Sequence, residues 1–293
     1  MKQRTIKKAV EVVGIGLHKG VPVKLRLEPL EEDMGIVFYR SDKGISIPLS
    51  KDYVVDTQMA TVLGKEGVVV STIEHLMSAI TAFGIDNLRI VLDNDEIPIM
   101  DGSAISFCLL LKEAGIVSQN RNKKFLKIKE EIVIELDGKM AKVSPSETTS
   151  YAFEINFPHP AIGRQYLKFD FSTKAYIEEI AKARTFGFLK EIQYLRSKGL
   201  ALGGSLENAI VLDDKKILNE NLRYNDEFVR HKILDAIGDM RLLGYNFIGS
   251  YEAIASGHHL NHLLTKAIFA DSKNYELVEV SQSIGEFSIA TAY

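Results

Sequence analysis

Apolar and polar residues alternate along the first third of the chain. Val21, Val23, Leu25 and Leu27 are separated by Pro22, Lys24 and Arg26, and similar two-residue periods cover residues 35–39 and 45–49. Alternation of this kind predicts strands with one buried face. The period then changes. From Ser71 onward, Ile73, Leu76, Met77, Ile80 and Phe83 recur at spacings of three and four. That spacing predicts a helix, closed by Gly84, a residue that readily turns the chain past a helix C-terminus. A strand over 87–92 and a second helix over 103–114, ended by Gly115, complete this half.

Residues 118–124 (SQNRNKK) contain no apolar side chain and read as a linker. Strand patterns resume over 125–134, 139–143 and 151–157. A helix is expected over 174–183 and a longer one over 227–243, ended by Gly244. A strand fragment at Ala253-Ile254, a helix from about residue 260 and a weakly patterned tail follow. Each half thus runs strands, helix, strand, helix, without a literal repeat. This predicts an α+β fold of two similar domains, each a sheet with helices on one face. The boundaries are 1–118 for the first, 119–124 for the linker and 125–293 for the second.

Composition narrows the function classes. Of 293 residues, 36 are basic and 39 acidic, a net charge of −3, and 46% are hydrophobic. With no basic block, a sequence-independent grip on nucleic acid is excluded. One cysteine, Cys108, permits neither an internal disulfide nor a thiolate zinc site. A metal must therefore be held by carboxylates and by some of seven histidines. The basic N-terminus (Lys2, Arg4, Lys7, Lys8) is followed by Glu11 and several glycines, a strand pattern and not a signal peptide. No apolar run reaches the about 18–20 residues of a membrane helix, so a cytoplasmic setting is expected. Gly14-Ile15-Gly16 with Gly20 misses the dinucleotide fingerprint by one residue, and 199–205 lacks the lysine of a phosphate loop; both read as turns.

Three places concentrate titratable groups. Glu74 and His75 open the first helix, where Ser71 and Glu74 also match a capping box. His231, Asp235 and Asp239 lie four apart on the long helix and so share a face, with Lys232 beside them as a mobile cation. The alternative there is a solvated ion pair. His258, His259 and His262 follow a strand, where turn histidines are often simply exposed. Two histidines and one aspartate from distant segments would form the three-ligand set of a catalytic zinc site. Glu74 could then act as base, and His258 backed by Asp239 as acid. This chemistry points to a metal-dependent hydrolase.

At these residues the chain resembles the UDP-3-O-acyl-N-acetylglucosamine deacetylases, the zinc amidases of lipid A biosynthesis (the LpxC family). The resemblance spans nearly the whole chain. It runs through Gly14-Ile15-Gly16-Leu17-His18, Ser71-Thr72-Ile73-Glu74-His75-Leu76 and Glu96-Ile97-Pro98-Ile99-Met100-Asp101-Gly102-Ser103. It continues through Ala183-Arg184-Thr185-Phe186-Gly187-Phe188, Gly203-Gly204-Ser205, the segment 229–239 (VRHKILDAIGD) and Ser256-Gly257-His258. Any one motif is weak; seven in order are specific.

The resemblance implies two α+β domains with their helical layers facing each other around the active site. It implies His75, His231 and Asp235 as ligands of one zinc ion, for which iron(II) competes, and Glu74 as general base. His258 would be the general acid, oriented by Asp239, with Lys232 near the reacting centre and the Thr185 hydroxyl on the oxyanion. Phe186 would line the sugar pocket. An insert at about 186–211 would form an apolar passage for the 3-O-acyl chain, walled by Phe188, Ile192, Leu195, Leu200, Ala201 and Leu202. The implied reaction hydrolyses the N-acetyl group to acetate and the free 2-amino sugar nucleotide, in a monomeric cytoplasmic enzyme. His18, His159, His259 and His262 receive no role. Two competing readings are a zinc amidase acting on another N-acyl sugar and a non-catalytic protein that binds sugar nucleotide or acyl chain.

Overall fold

Two five-stranded sheets organise the chain in the computed structural model, which describes residues 1–279. In the first, Val10–Ile15, Pro22–Pro29, Leu88–Leu92, Ile36–Arg40 and Ile45–Pro48 lie side by side in that order. In the second the order is Ile132–Leu136, Lys139–Ser144, Ser250–Ile254, Ser150–Phe157 and Gly163–Asp170. By position in the chain, both run first, second, fifth, third, fourth. In both, the fifth and third strands are parallel and every other pairing is antiparallel. The α+β architecture expected from the strand and helix periods is therefore present, as two sheets of one topology.

Alternation does the sorting within the strands. Val23, Leu25 and Leu27 are fully buried, whereas the intervening Lys24 and Arg26 pair with Glu11 on the outer face. Helix Glu74–Ala82 packs against helix Glu227–Met240, and helix His258–Ala270 lies beside the latter. The helical layers thus face one another, and the buried residues of both halves join in one core.

Several local expectations change. The polar stretch 118–124 is no free linker: Ile116–Asn122 is a strand paired with Lys2–Ile6, and Lys123 is fully buried. Its side chains are polar because the strand lies at an edge, and Lys123 is accepted inside because Gly84 O and Asp86 receive its ammonium. The pattern over 125–134 divides into Lys124–Ile128 and Ile132–Leu136, which belong to different sheets. The edge strand Gly163–Asp170 carries no clean alternation, because Gln165 lies on its inner face and the apolar Tyr166 points outward. The helix expected over 174–183 is a short turn, Thr173–Ala175, running into a wider π-helical turn, Tyr176–Ile180. Residues 280–293 of the expected second domain lie outside the described residues. Among the described residues no helix is long and apolar enough to cross a membrane.

The insert expected at about 186–211 has its own small frame. Phe186–Phe188 pairs in parallel with Ile210–Leu212, with helix Leu189–Ser197 between them in the chain.

Candidate metal and catalytic centre

Every residue of helix Glu74–Ala82 is buried, including Glu74 and His75 at its start. The capping box does not form. The Ser71 N–H donates to Asp95 O, and Glu74 Oε2 instead accepts from the Thr61 N–H at 3.1 Å. Thr72 enters the helix at φ 58°, a left-handed backbone uncommon for a β-branched residue. Its hydroxyl donates to Glu96, which also receives the His18 N–H. The segment before Glu74 is thus bent away from helical capping and held by a buried carboxylate.

On helix Glu227–Met240, the four-residue spacing places His231, Asp235 and Asp239 on one buried face. Gly238 lets this helix approach the start of the other. Asp235 Oδ1 lies 3.5 Å from His75 Nε2 and 3.4 Å from His231 Nε2. The ligating atoms of all three residues fall within 4.8 Å of one another. The His231 Nδ1–H donates to Ala183 O at 3.0 Å, which leaves Nε2 with its lone pair toward the cluster. Burial, outweighing the nearby Asp235, lowers the His231 pKa to about 4, so the imidazole is neutral at pH 7. Asp235 Oδ1 is buried and has no hydrogen-bond partner among the described residues. An orphaned carboxylate oxygen facing two imidazole nitrogens fits a divalent cation with nitrogen and oxygen ligands. Lys232 differs from the mobile cation expected: one helical turn from Asp235, it binds Oδ2 at 2.9 Å.

Glu74 and His258 face each other beside this cluster, with Oε1 and Nε2 3.7 Å apart. Burial pushes the Glu74 carboxyl above its ordinary value, against the pull of His258 and His75. Burial disfavours charge on His258, but the carboxylates of Asp239, Glu74 and Asp235 prevail and raise its pKa to about 10. The His258 Nδ1–H donates to Asp239 Oδ2 at 2.8 Å, which turns Nε2 toward Glu74. A carboxylate with raised basicity and a protonated imidazole can take and give a proton on one reacting group.

Thr61 and Asn261 were not singled out from the sequence. The Thr61 hydroxyl donates to Asp239 Oδ1 at 2.6 Å, and Asn261 Nδ2 donates to Oδ2 at 2.8 Å. Thr61 lies in no motif of titratable residues, and Asn261, although it sits between His259 and His262, carries no titratable group of its own, so no compositional signal marks either.

The segment carrying Thr185 is anchored by its neighbours. Arg184 makes a bidentate contact with the fully buried Glu227, and the Thr185 N–H donates to Gly102 O. Phe186 packs edge-on against Phe228 and stands 6.3 Å, ring centre to ring centre, from His231. Thr185 and Phe186 border a cavity of 480 Å³, reaching Ile192, Leu195 and Ala201 on the insert. Phe188, Leu200 and Leu202, also expected as walls, are not among its lining residues. Phe188 packs against Phe157 and His159, Leu200 closes the turn after helix Leu189–Ser197, and Leu202 is 51% exposed. The first half of the chain supplies Leu17, His18 and Met59 instead. Of the unassigned histidines, His159 is fixed between Ala161 N–H and Asp213 O, and His259 contacts the Thr57 hydroxyl.

Residues 3–270 match the family model described as UDP-3-O-acyl N-acetylglycosamine deacetylase. Curated relatives named UDP-3-O-acyl-N-acetylglucosamine deacetylase include one from Nautilia profundicola, 72% identical over 293 residues and all of both chains. One from Aliarcobacter butzleri is 63% identical over 291 residues, 99% of this chain and 97% of its own. One from Helicobacter hepaticus is 62% identical over 294 residues, covering 100% and 98%.

Proposed function

The chain belongs to the UDP-3-O-acyl N-acetylglycosamine deacetylase family, and from that membership we infer that it removes the N-acetyl group of UDP-3-O-acyl-N-acetylglucosamine. The products are acetate and UDP-3-O-acyl-glucosamine, in the biosynthesis of lipid A. The observation that carries the catalytic reading is the pairing of Glu74 with His258 beside the His75–His231–Asp235 cluster.

In this reading His75, His231 and Asp235 would hold a zinc ion, with iron(II) as the alternative metal. When bound, the cation would supply Lewis acidity toward the amide carbonyl and would acidify water. Glu74 accepts the proton of the attacking water through Oε1, the oxygen left free by Thr61. The Thr185 hydroxyl donates to the developing oxyanion. The amide nitrogen takes its proton from His258 Nε2, while Asp239 keeps the imidazole charged and oriented. Lys232 adds positive charge beside Asp235. Phe186 contacts the sugar, and Ile192, Leu195 and Ala201 line the space for the acyl chain. The two halves, as domains that share one core, each give part of the centre, in a monomeric cytoplasmic enzyme.

The apolar cavity favours an acylated sugar nucleotide over another N-acyl sugar, and the Glu74–His258 pair favours turnover over binding alone. Acetate release from acylated and unacylated UDP-N-acetylglucosamine tests both. Chelated protein is expected to be inactive, zinc to restore it, and the acylated substrate to be strongly preferred. Full activity after chelation, equal rates on both substrates, or tight binding without acetate would each overturn the reading.

A further inference from the structure

We propose that Thr61 is a positioning residue that locks the base and the acid of the site into one geometry. This rests on the roles given to Glu74, Asp239 and His258 above. Thr61 is 1% exposed and lies just before the strand Val62–Lys65, far in sequence from Asp239. Its three polar groups are all engaged. The peptide N–H donates to Glu74 Oε2 at 3.1 Å, and the hydroxyl donates to Asp239 Oδ1 at 2.6 Å. Its carbonyl accepts from the N–H of Ile73, the residue before Glu74, at 3.5 Å.

These bonds have directional consequences. With Oε2 held by the peptide, Glu74 presents Oε1 to His258 and to the reacting centre. With Oδ1 held by the hydroxyl, Asp239 cannot rotate its carboxylate away from the His258 Nδ1–H and Asn261, which share Oδ2. Asn261 is itself fixed by the Tyr251 and Ser256 hydroxyls. One residue in the first half, through its peptide N–H and its hydroxyl, thereby sets the spacing of two buried carboxylates contributed by different halves. The β-branched threonine suits this because few χ1 rotamers are open to it. Loss of the hydroxyl leaves Asp239 Oδ1 buried without that donor, and the imidazole that Asp239 orients loses its fixed direction.

The test compares Thr61→Val, which keeps shape and peptide N–H, with Thr61→Ser, which keeps the hydroxyl. Both are measured as zinc-loaded enzyme of verified metal content. Thr61→Val is expected to lower kcat about 10- to 100-fold with little change in KM. Thr61→Ser is expected to stay near the parent. If Thr61→Val does not fold, Thr61→Ala, in which the missing methyl leaves room for relaxation, is read in the same way. A parent-like kcat in the valine or alanine variant, an effect confined to KM, or an equal loss in Thr61→Ser would overturn the proposal. Absence of acetate release by the parent enzyme would instead overturn the functional reading itself.

Discussion

Gly238 stands so close to the start of the neighbouring helix that a Cβ at this position would lie 2.0 Å from the carbonyl oxygen of Glu74. Two helices meet there backbone to backbone, which brings Asp235 and Asp239 of one beside His75 and Glu74 of the other. Gly238→Ala must push them apart. The expected cost is about 3 kcal/mol, the upper part of the range for overpacking, because rigid backbone and no flexible side chain opposes the new methyl. Urea unfolding checks this, and competition with a chelator should show weakened metal binding. A variant with the parent's stability and metal affinity would show that the helices can part freely.

Glu74→Gln preserves shape but cannot accept a proton. Acetate release is expected to fall about 100- to 10,000-fold, the usual span for a lost general base. Metal content measured in the same preparation should remain at the parent's level, since Glu74 is not one of the three clustered ligands. Turnover close to the parent's would remove Glu74 from the base role.

In metal-free protein His258 carries its proton far above the ordinary range, because the facing carboxylates raise its pKa from the ordinary 6.5 to about 10. Between those values the folded state holds a proton that the unfolded chain has released. The stability this contributes is fully present below pH 6.5 and is lost as pH rises through about 10. The stability difference between the parent and His258→Gln, measured by urea unfolding of chelated samples, should therefore shrink between pH 7 and pH 10. A difference constant over that window, or one that grows, would place the His258 proton elsewhere.

Lys123 donates to Gly84 O at 2.9 Å and to Asp86 Oδ1 at 2.7 Å, with its side chain fully buried. Burial, only partly offset by Asp86, lowers its pKa to about 8. Lys123→Ala takes the ammonium away from Asp86 Oδ1 and Gly84 O and opens a cavity, while Asp86 Oδ2 keeps the Arg4 N–H. It is expected to destabilise by about 3 kcal/mol, as when one partner of a buried ion pair is removed. Denaturant unfolding at pH 7 measures it; a loss below about 1 kcal/mol, the level of an exposed ion pair, would show that the site is solvated.

Where periodicity is the signal, the chain alone is legible. Alternation at Val23, Leu25 and Leu27, and the spacing of His231, Asp235 and Asp239, give strand and helix faces that the structure retains. These depend on backbone geometry within a few residues. Composition was a poorer guide: the polar run 118–124 became an edge strand and a buried lysine, because its partners, Lys2–Ile6 and Asp86, lie far away in the chain. For the same reason the apolar character of Phe188, Leu200 and Leu202 could not reveal whether they border the cavity, while Leu17 and Met59 do so from the other half.

Periodicity and motifs along the chain specify the principal strands and helices, the α+β class, the family and the identity of the titratable residues that gather at the centre. Tertiary structure alone decided that Glu74 turns from Ser71 to Thr61, that Lys232 is tied to Asp235, and that Asp239 is held by Thr61 and Asn261. The physical reason is that a hydrogen bond is chosen by distance and direction in space. Sequence periodicity specifies which way a side chain leaves its own helix or strand. Only the packing of two helices across Gly238 specifies what it meets.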